Sequence, residues 1–164
     1  MNKLKIIDDF LPRDDFLKIK NTIMSDEFIW NYTSTINDFH VDQTSYFTHM
    51  LYYFNGTKHT LSPYFSILDP ILLRIQPKAL IRVKINLYQK TDTIQLHEPH
   101  KDFLYPHKGA LFSLNTCDGY TVLEDDSKIE SKENRMMLFD SSTPHSSTST
   151  TNAKSRINLN FNYF

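Results

Sequence analysis

The sequence predicts an α+β, mainly β protein: a double-sheet jelly roll (double-stranded β-helix) in which N-terminal helices brace one sheet. Three observations carry this. From residue 79 onward nearly every segment reads as strand or turn, near 79–89, 98–104, 109–116, 119–124, 127–130, 134–140, 143–148 and 155–163. Two of these strands alternate strictly between polar and apolar residues. In Leu80-Ile81-Arg82-Val83-Lys84-Ile85-Asn86-Leu87-Tyr88, residues Arg82, Lys84, Asn86 and Tyr88 share one face. In Arg156-Ile157-Asn158-Leu159-Asn160-Phe161-Asn162-Tyr163 the even positions form a second polar face. Helical spacing of apolar residues, by contrast, is confined to the first 78 residues.

In chain order, Leu4 to Ile7 reads as a short strand. Pro12 fits the first turn of a helix running to about Met24, with Asp14 and Asp15 near its positive end and Phe16, Ile19, Ile23 and Met24 on its apolar face. Residues 28–32 and 46–53 are rich in aromatics that suit pleated surfaces, and a turn-rich stretch at 38–44 separates them. Ser62-Pro63 opens a second helix to about Ile75, before Pro77, with Phe65, Leu68, Ile71, Leu72 and Ile75 as its buried stripe. The chain of 164 residues, 40% hydrophobic, is enough for one domain with a proper core. Residues 1–78 are the expected scaffold and 79–164 the jelly-roll core.

A formal net charge of −1 and a pI near 6.6 provide no basic field, so a nucleic-acid partner is not favoured. Cys117 is the only cysteine, which excludes an intrachain disulfide and a cysteine-rich zinc site. The N-terminus turns acidic at Asp8 and Asp9, too soon for a signal peptide, and no apolar run reaches the length of a membrane span. A soluble, cytoplasmic protein without a membrane partner is the expectation.

The chemistry-bearing stretch is His100-Lys101-Asp102. An imidazole and a carboxylate two residues apart point to the same side of an extended strand, so one strand can supply two ligands of one metal. His145, in the polar run Ser142-Thr143-Pro144-His145-Ser146, is the candidate third ligand. Two His and one carboxylate leave the opposite face of a metal open, as in non-haem Fe(II) oxygenases. Eleven residues after His145 comes Arg156. A buried Arg is costly unless an anion meets it, and its fork suits a carboxylate. Either a bound carboxylate or an Asp or Glu of the chain would serve, with Arg82 and Lys84 as rival anion partners. Tyr88 shares their face, and Asn115 is a weaker neighbour. A zinc site drawing on His97 or His107 is the alternative use of the histidines. His40, His49 and His59 read as surface or packing residues.

In these features the sequence resembles the 2-oxoglutarate and Fe(II)-dependent oxygenase superfamily, in particular its prolyl-4-hydroxylase-like branch. The resemblance rests on Asn86-Leu87-Tyr88, His100-x-Asp102, Leu114-Asn115 with Asp118-Gly119-Tyr120-Thr121, Asn134-Arg135 with Leu138-Phe139-Asp140, His145 and Arg156, in the family's order over residues 78–164. It implies Fe(II) on His100, Asp102 and His145, with Arg156 and Tyr88 holding the far carboxylate of 2-oxoglutarate and Asn115 nearby. It also implies dioxygen as co-reactant and hydroxylation of an unactivated C–H. The substrate would be a peptide or protein side chain, or else a small metabolite. A non-oxidising, cupin-like metal-binding module is the alternative. Gln89-Lys90 after Tyr88 departs from relatives that place a glycine there, which bears on substrate class.

Overall fold

The structure is a computed structural model that describes residues 4–34 and 45–164. The turns expected at 38–44, with His40, lie outside the described residues. In order, the elements are β1 (Lys5–Ile7), α1 (Arg13–Ile23), β2 (Asn31–Thr33), β3 (Tyr46–Phe54), β4 (His59–Leu61), a 3-10 turn (Phe65–Leu68), α2 (Asp69–Ile75), β5 (Leu80–Gln89), β6 (Lys108–Ser113), β7 (Tyr120–Leu123), β8 (Lys128–Glu130), β9 (Arg135–Asp140), β10 (His145–Ser147) and β11 (Ser155–Tyr163). The protein is mainly β, with α1 ahead of β2 and α2 between β4 and β5.

A large sheet runs β1-β9-β6-β11-β5-β3-β2, with β4 also on β3; a smaller one runs β10-β7-β8. All named pairings are antiparallel. Isolated antiparallel bridges Leu96↔Thr148 and His100↔His145 add the segment 96–100 to the free side of β10.

The alternation of β5 and β11 explains how the large sheet divides its two faces. They pair in unbroken register from Ser155↔Gln89 to Asn162↔Arg82, so Arg156 stands opposite Tyr88 and Asn158 opposite Asn86. The odd residues Ile157, Leu159 and Phe161 join Val83, Ile85 and Phe112 in the apolar core with Phe16, Ile19 and Ile23 of α1 and Leu68 and Ile71 near and on α2. Phe112 meets Phe16 and Phe10 at ring distances of 6.0 and 6.1 Å, and burying each such ring contributes roughly 1.5–3 kcal/mol. The even residues Arg156, Asn158, Asn160 and Asn162 are also buried. They face the other way, so this strand is covered on both sides although it reads as half polar.

Three expectations need correction. The single helix expected from Ser62 to Ile75 is a 3-10 turn followed by α2, because Pro70 at the start of α2 has no N–H to continue an earlier α-helix. The strand expected at 98–104 is paired only at isolated points; Pro99 within it cannot donate to a ladder. The short β4 was not expected, since three residues are too few for a period to show. Among the described residues no helix is long and apolar enough to cross a membrane.

Candidate functional site

His100 and His145 exchange both backbone hydrogen bonds, each N–H donating to the other's carbonyl at 3.0 Å. Two residues on, the Asp102 N–H donates to the Ser141 carbonyl at 3.2 Å. The segments 100–102 and 141–145 therefore run side by side, and ligand-type atoms of His100, Asp102 and His145 lie within 4.8 Å of one another. The imidazole rings are 4.7 Å apart, and His145 Nε2 is 3.8 Å from Asp102 Oδ2. His145 Nδ1 lies 3.0 Å from the Thr143 carbonyl and His100 Nδ1 lies 3.4 Å from that of Glu98. A carbonyl only accepts, so each ring carries its proton on Nδ1 and keeps the Nε2 lone pair for a ligand. Burial, then the neighbouring His145, pushes His100 down to about 4, which favours the neutral form that ligates metals.

Asp102 is almost wholly buried. Its Oδ1 accepts from Arg82 Nη2, and its Oδ2 accepts from Ser141 Oγ, from Asn162 Nδ2 at 2.8 Å and from Asn160 Nδ2 at 3.1 Å. Burial alone would raise its pKa. The Arg82 charge, then the neighbouring His145 and these donors, outweigh it, holding the carboxyl well below the usual range.

Arg156 is 1% exposed. Nη1 donates to the Thr148 carbonyl at 3.1 Å and Nη2 to Thr121 Oγ1 at 2.9 Å, while Nε has no hydrogen-bond partner. No carboxylate lies within ion-pair distance of it among the described residues, so the salt bridge weighed from sequence is absent. Its guanidinium carbon stands 5.7 Å from the centre of the Tyr88 ring, which stacks on Tyr46 and is itself buried. A cavity of about 30 Å³ has Asn86, Tyr88, Thr121, Asn158, His100 and His145 on its wall; Arg156 is not among its lining residues. A larger groove of about 670 Å³ contains none of the three ligand candidates; donor chemistry, not size, marks the smaller one.

The remaining candidates fall elsewhere. Asn115 does not reach the cavity: its Nδ2 donates to the Ser155 carbonyl and its Oδ1 accepts from the Ile157 N–H, so it pins the start of β11. His97 is buried with Nδ1 2.8 Å from Ser147 Oγ and its ring against Tyr88. His107 lies 3.2 Å from Asn162 Nδ2, beside the donors of Asp102 rather than among the ligand atoms. Lys84 Nζ is 3.4 Å from the Tyr46 hydroxyl. Arg82, read as a rival anion partner, pairs with Asp102. The sequence reading missed Ser141 and Thr148, whose common residue types give no signal, and named Thr121 only within the run Asp118-Gly119-Tyr120-Thr121, without a role. Asn160 and Asn162 were visible as a polar face but not as donors to Asp102.

No protein-family model and no curated protein matches the chain. Solved structures do. A 2OG-Fe(II) oxygenase family oxidoreductase from Burkholderia pseudomallei aligns over 98% of this chain and 84% of its own, with TM-score 0.75 and 11% identity. A Trichoplax adhaerens prolyl hydroxylase, solved with a hypoxia inducible factor peptide fragment, aligns over 99% and 84% with TM-score 0.68 and 14% identity. HygX from Streptomyces hygroscopicus, solved with nickel and 2-oxoglutarate, aligns over 98% and 82% with TM-score 0.64 and 13% identity. At these identities the likeness establishes a shared fold.

Proposed function

We propose that this protein is an Fe(II)- and 2-oxoglutarate-dependent dioxygenase that hydroxylates an unactivated C–H bond. The observation that carries the reading is Arg156: a buried cation with no carboxylate partner among the described residues, on the same strand face as the Asn residues that hold Asp102. A buried charge of this kind is stable only when an anion or a full set of dipoles meets it. The antiparallel pairing of β5, β11, β6 and β9, and of the segment 96–100 with β10, β7 and β8, supports a double-stranded β-helix formed within one domain.

The residues fit the group. Two imidazoles whose Nδ1 atoms sit on backbone carbonyls, leaving Nε2 as the ligating nitrogen, and one buried carboxylate make the donor set that suits Fe(II) with open positions. His100, Asp102 and His145 would hold the ion, and Arg156, with the Tyr88 phenol, would receive the distal carboxylate of 2-oxoglutarate. Iron bound with 2-oxoglutarate and dioxygen supplies oxidation of a C–H bond, with succinate and carbon dioxide as co-products. The chain's part is to orient and to exclude water. The Asn86 and Asn158 amides, bonded to each other at 3.0 Å, line the cavity together with Tyr88, whose ring centre is 5.7 Å from the Arg156 guanidinium carbon. A cavity of about 30 Å³ is too small for a five-carbon acid, so cosubstrate binding requires side chains on its wall to turn aside, a common change on binding. A peptide or protein side chain is the substrate class favoured here, supported by the fold shared with a peptide-bound hydroxylase, and an intracellular setting agrees with the single, buried Cys117.

The test is an anaerobic titration of metal-free protein with Fe(II) and then 2-oxoglutarate, following the visible charge-transfer band of the chelated 2-oxo acid, with Arg156→Ala alongside. A band in the wild type, and a much higher 2-oxoglutarate requirement in the variant, is the expected result. Well-folded, iron-loaded protein without a band would overturn the oxygenase reading in favour of a non-oxidising metal-binding module.

A further inference from the structure

Two residues on the wall of the small cavity carry a buried carbonyl oxygen that no donor of the chain meets. Asn86 Oδ1 and Asn160 Oδ1 have no hydrogen-bond partner, and the two residues are 3% and 7% exposed. Leaving a buried acceptor unpaired costs the desolvation of that group, so such atoms point to something that meets them. The orientation of Asn160 is fixed. Its Nδ2 donates to the Asp102 carboxylate, at 3.1 Å from Oδ2 and 3.4 Å from Oδ1, and a carboxylate only accepts, so the amide oxygen is the atom left over. Asn86 Nδ2 donates to Asn158 Oδ1 at 3.0 Å, which leaves its own oxygen over in the same way. The histidines on the wall do not help, because their ring protons face the Glu98 and Thr143 carbonyls.

The register orders these groups along one face. Asn160, which holds Asp102, comes first, then Asn158 opposite Asn86, then Arg156 opposite Tyr88. An acid held at one end beside Asp102 and at the other by Arg156 lays the middle of its chain along Asn160 and Asn86. At neutral pH 2-oxoglutarate offers only acceptors, two carboxylates and a ketone joined by methylenes, so it can pair with Arg156 but can donate to neither amide oxygen. We propose that the middle of this site is a subsite for a hydrogen-bond donor, so that the 2-oxo acid it binds best carries an N–H or O–H between its 2-oxo group and its far carboxylate; the proposal rests on the cosubstrate reading above. Asn86 and Asn160 are then specificity-determining residues. A chain that donates satisfies their oxygens, whereas a methylene buries them unpaired, and a site with polar groups to satisfy discriminates against the analogue that lacks the matching group.

The probes are 2-oxoglutarate and N-oxalylglycine, its isostere with an N–H in place of the methylene next to the 2-oxo group. They match in length and charge, and their affinities are measured calorimetrically on Mn(II)-loaded protein without oxygen, for wild type, Asn86→Leu and Asn160→Leu. Wild type is expected to bind N-oxalylglycine roughly tenfold more tightly than 2-oxoglutarate, and at least one variant is expected to lose that preference. The ratio of the two acids is taken within each protein, so a general loss of affinity cancels. Asn86→Leu also leaves every donor to Asp102 in place. Equal or weaker binding of N-oxalylglycine by wild type would overturn the proposal. So would a preference that survives in both variants, or two folded variants that bind neither acid, the result of a merely structural role for the amides. Wild-type protein that binds neither acid would instead overturn the cosubstrate reading itself.

Discussion

Gly119 lies so close against Arg156 that a Cβ on it would stand 2.6 Å from Arg156 Cδ and 2.6 Å from the Ser149 carbonyl oxygen. Neither neighbour can yield easily, since one is the stem of a buried side chain and the other is backbone. Gly119→Ala is therefore expected to destabilise the protein by about 1–3 kcal/mol and to displace the guanidinium, weakening 2-oxoglutarate binding. Denaturant midpoints and a 2-oxoglutarate titration check both; a variant of wild-type stability would show that the loop simply shifts.

Arg156 itself separates function from stability. Thr148 and Thr121 give it two neutral partners and nothing compensates its charge fully, and burial depresses its pKa. Replacing a buried ionic group with apolar volume is often neutral or stabilising. Arg156→Met should leave the cosubstrate-free protein at least as stable as wild type while costing about 2–5 kcal/mol of 2-oxoglutarate binding. A variant that loses several kcal/mol of stability but binds 2-oxoglutarate normally would make Arg156 a structural residue.

How much could be read in the sequence depends on range. The faces of β5 and β11 were legible because a period of two is local, and so was α1, whose Phe16, Ile19 and Ile23 are spaced as a helix buries them. His100 and Asp102 were legible as a pair, although the continuous strand invoked to align them is absent; what aligns them is bonding to residues 141 and 145. That kind of contact leaves no local trace. The strand expected near 109–116, which would have carried Asn115, ends at Ser113, two residues short of it. Arg82 lies on β5 and Ser141 just after β9, and both meet Asp102 only in the assembled sheet, so no spacing rule could have grouped them.

Acid should loosen the loop that carries Thr148. Asp118 accepts from the Thr150 hydroxyl at 2.7 Å, from the Thr151 hydroxyl and N–H, and from the Asn152 N–H at 3.4 Å. Its burial works against ionisation, but these donors prevail and bring it down to about 2. A carboxyl depressed on folding stabilises above its unfolded pKa of about 4, and that contribution is lost as pH falls from about 4 to about 2. Solvent screening keeps it small, about 1 kcal/mol or less. Asp118→Asn should thus be less stable than wild type at neutral pH, with the gap closing toward pH 2. A gap that is the same at pH 7 and pH 2.5 would sink this account.

Metal should be bound by the folded protein alone, because the three ligand atoms meet only through long-range pairing. Ligand that binds the folded state at a hundred times its dissociation constant adds about 2.7 kcal/mol, which for a chain of this size raises the melting temperature by about 5–10 °C. Co(II) added to metal-free protein is the convenient probe. Asp102→Ala should abolish that rise and should also lower the stability of the metal-free protein by about 3 kcal/mol, because Arg82 is left as a shielded cation without its carboxylate. His145→Gln removes a ligand without stranding a charge, so it should lose the Co(II) response with a smaller fall in stability. If Co(II) stabilises Asp102→Ala and His145→Gln as much as wild type, the ion binds elsewhere and His100, Asp102 and His145 are not its ligands.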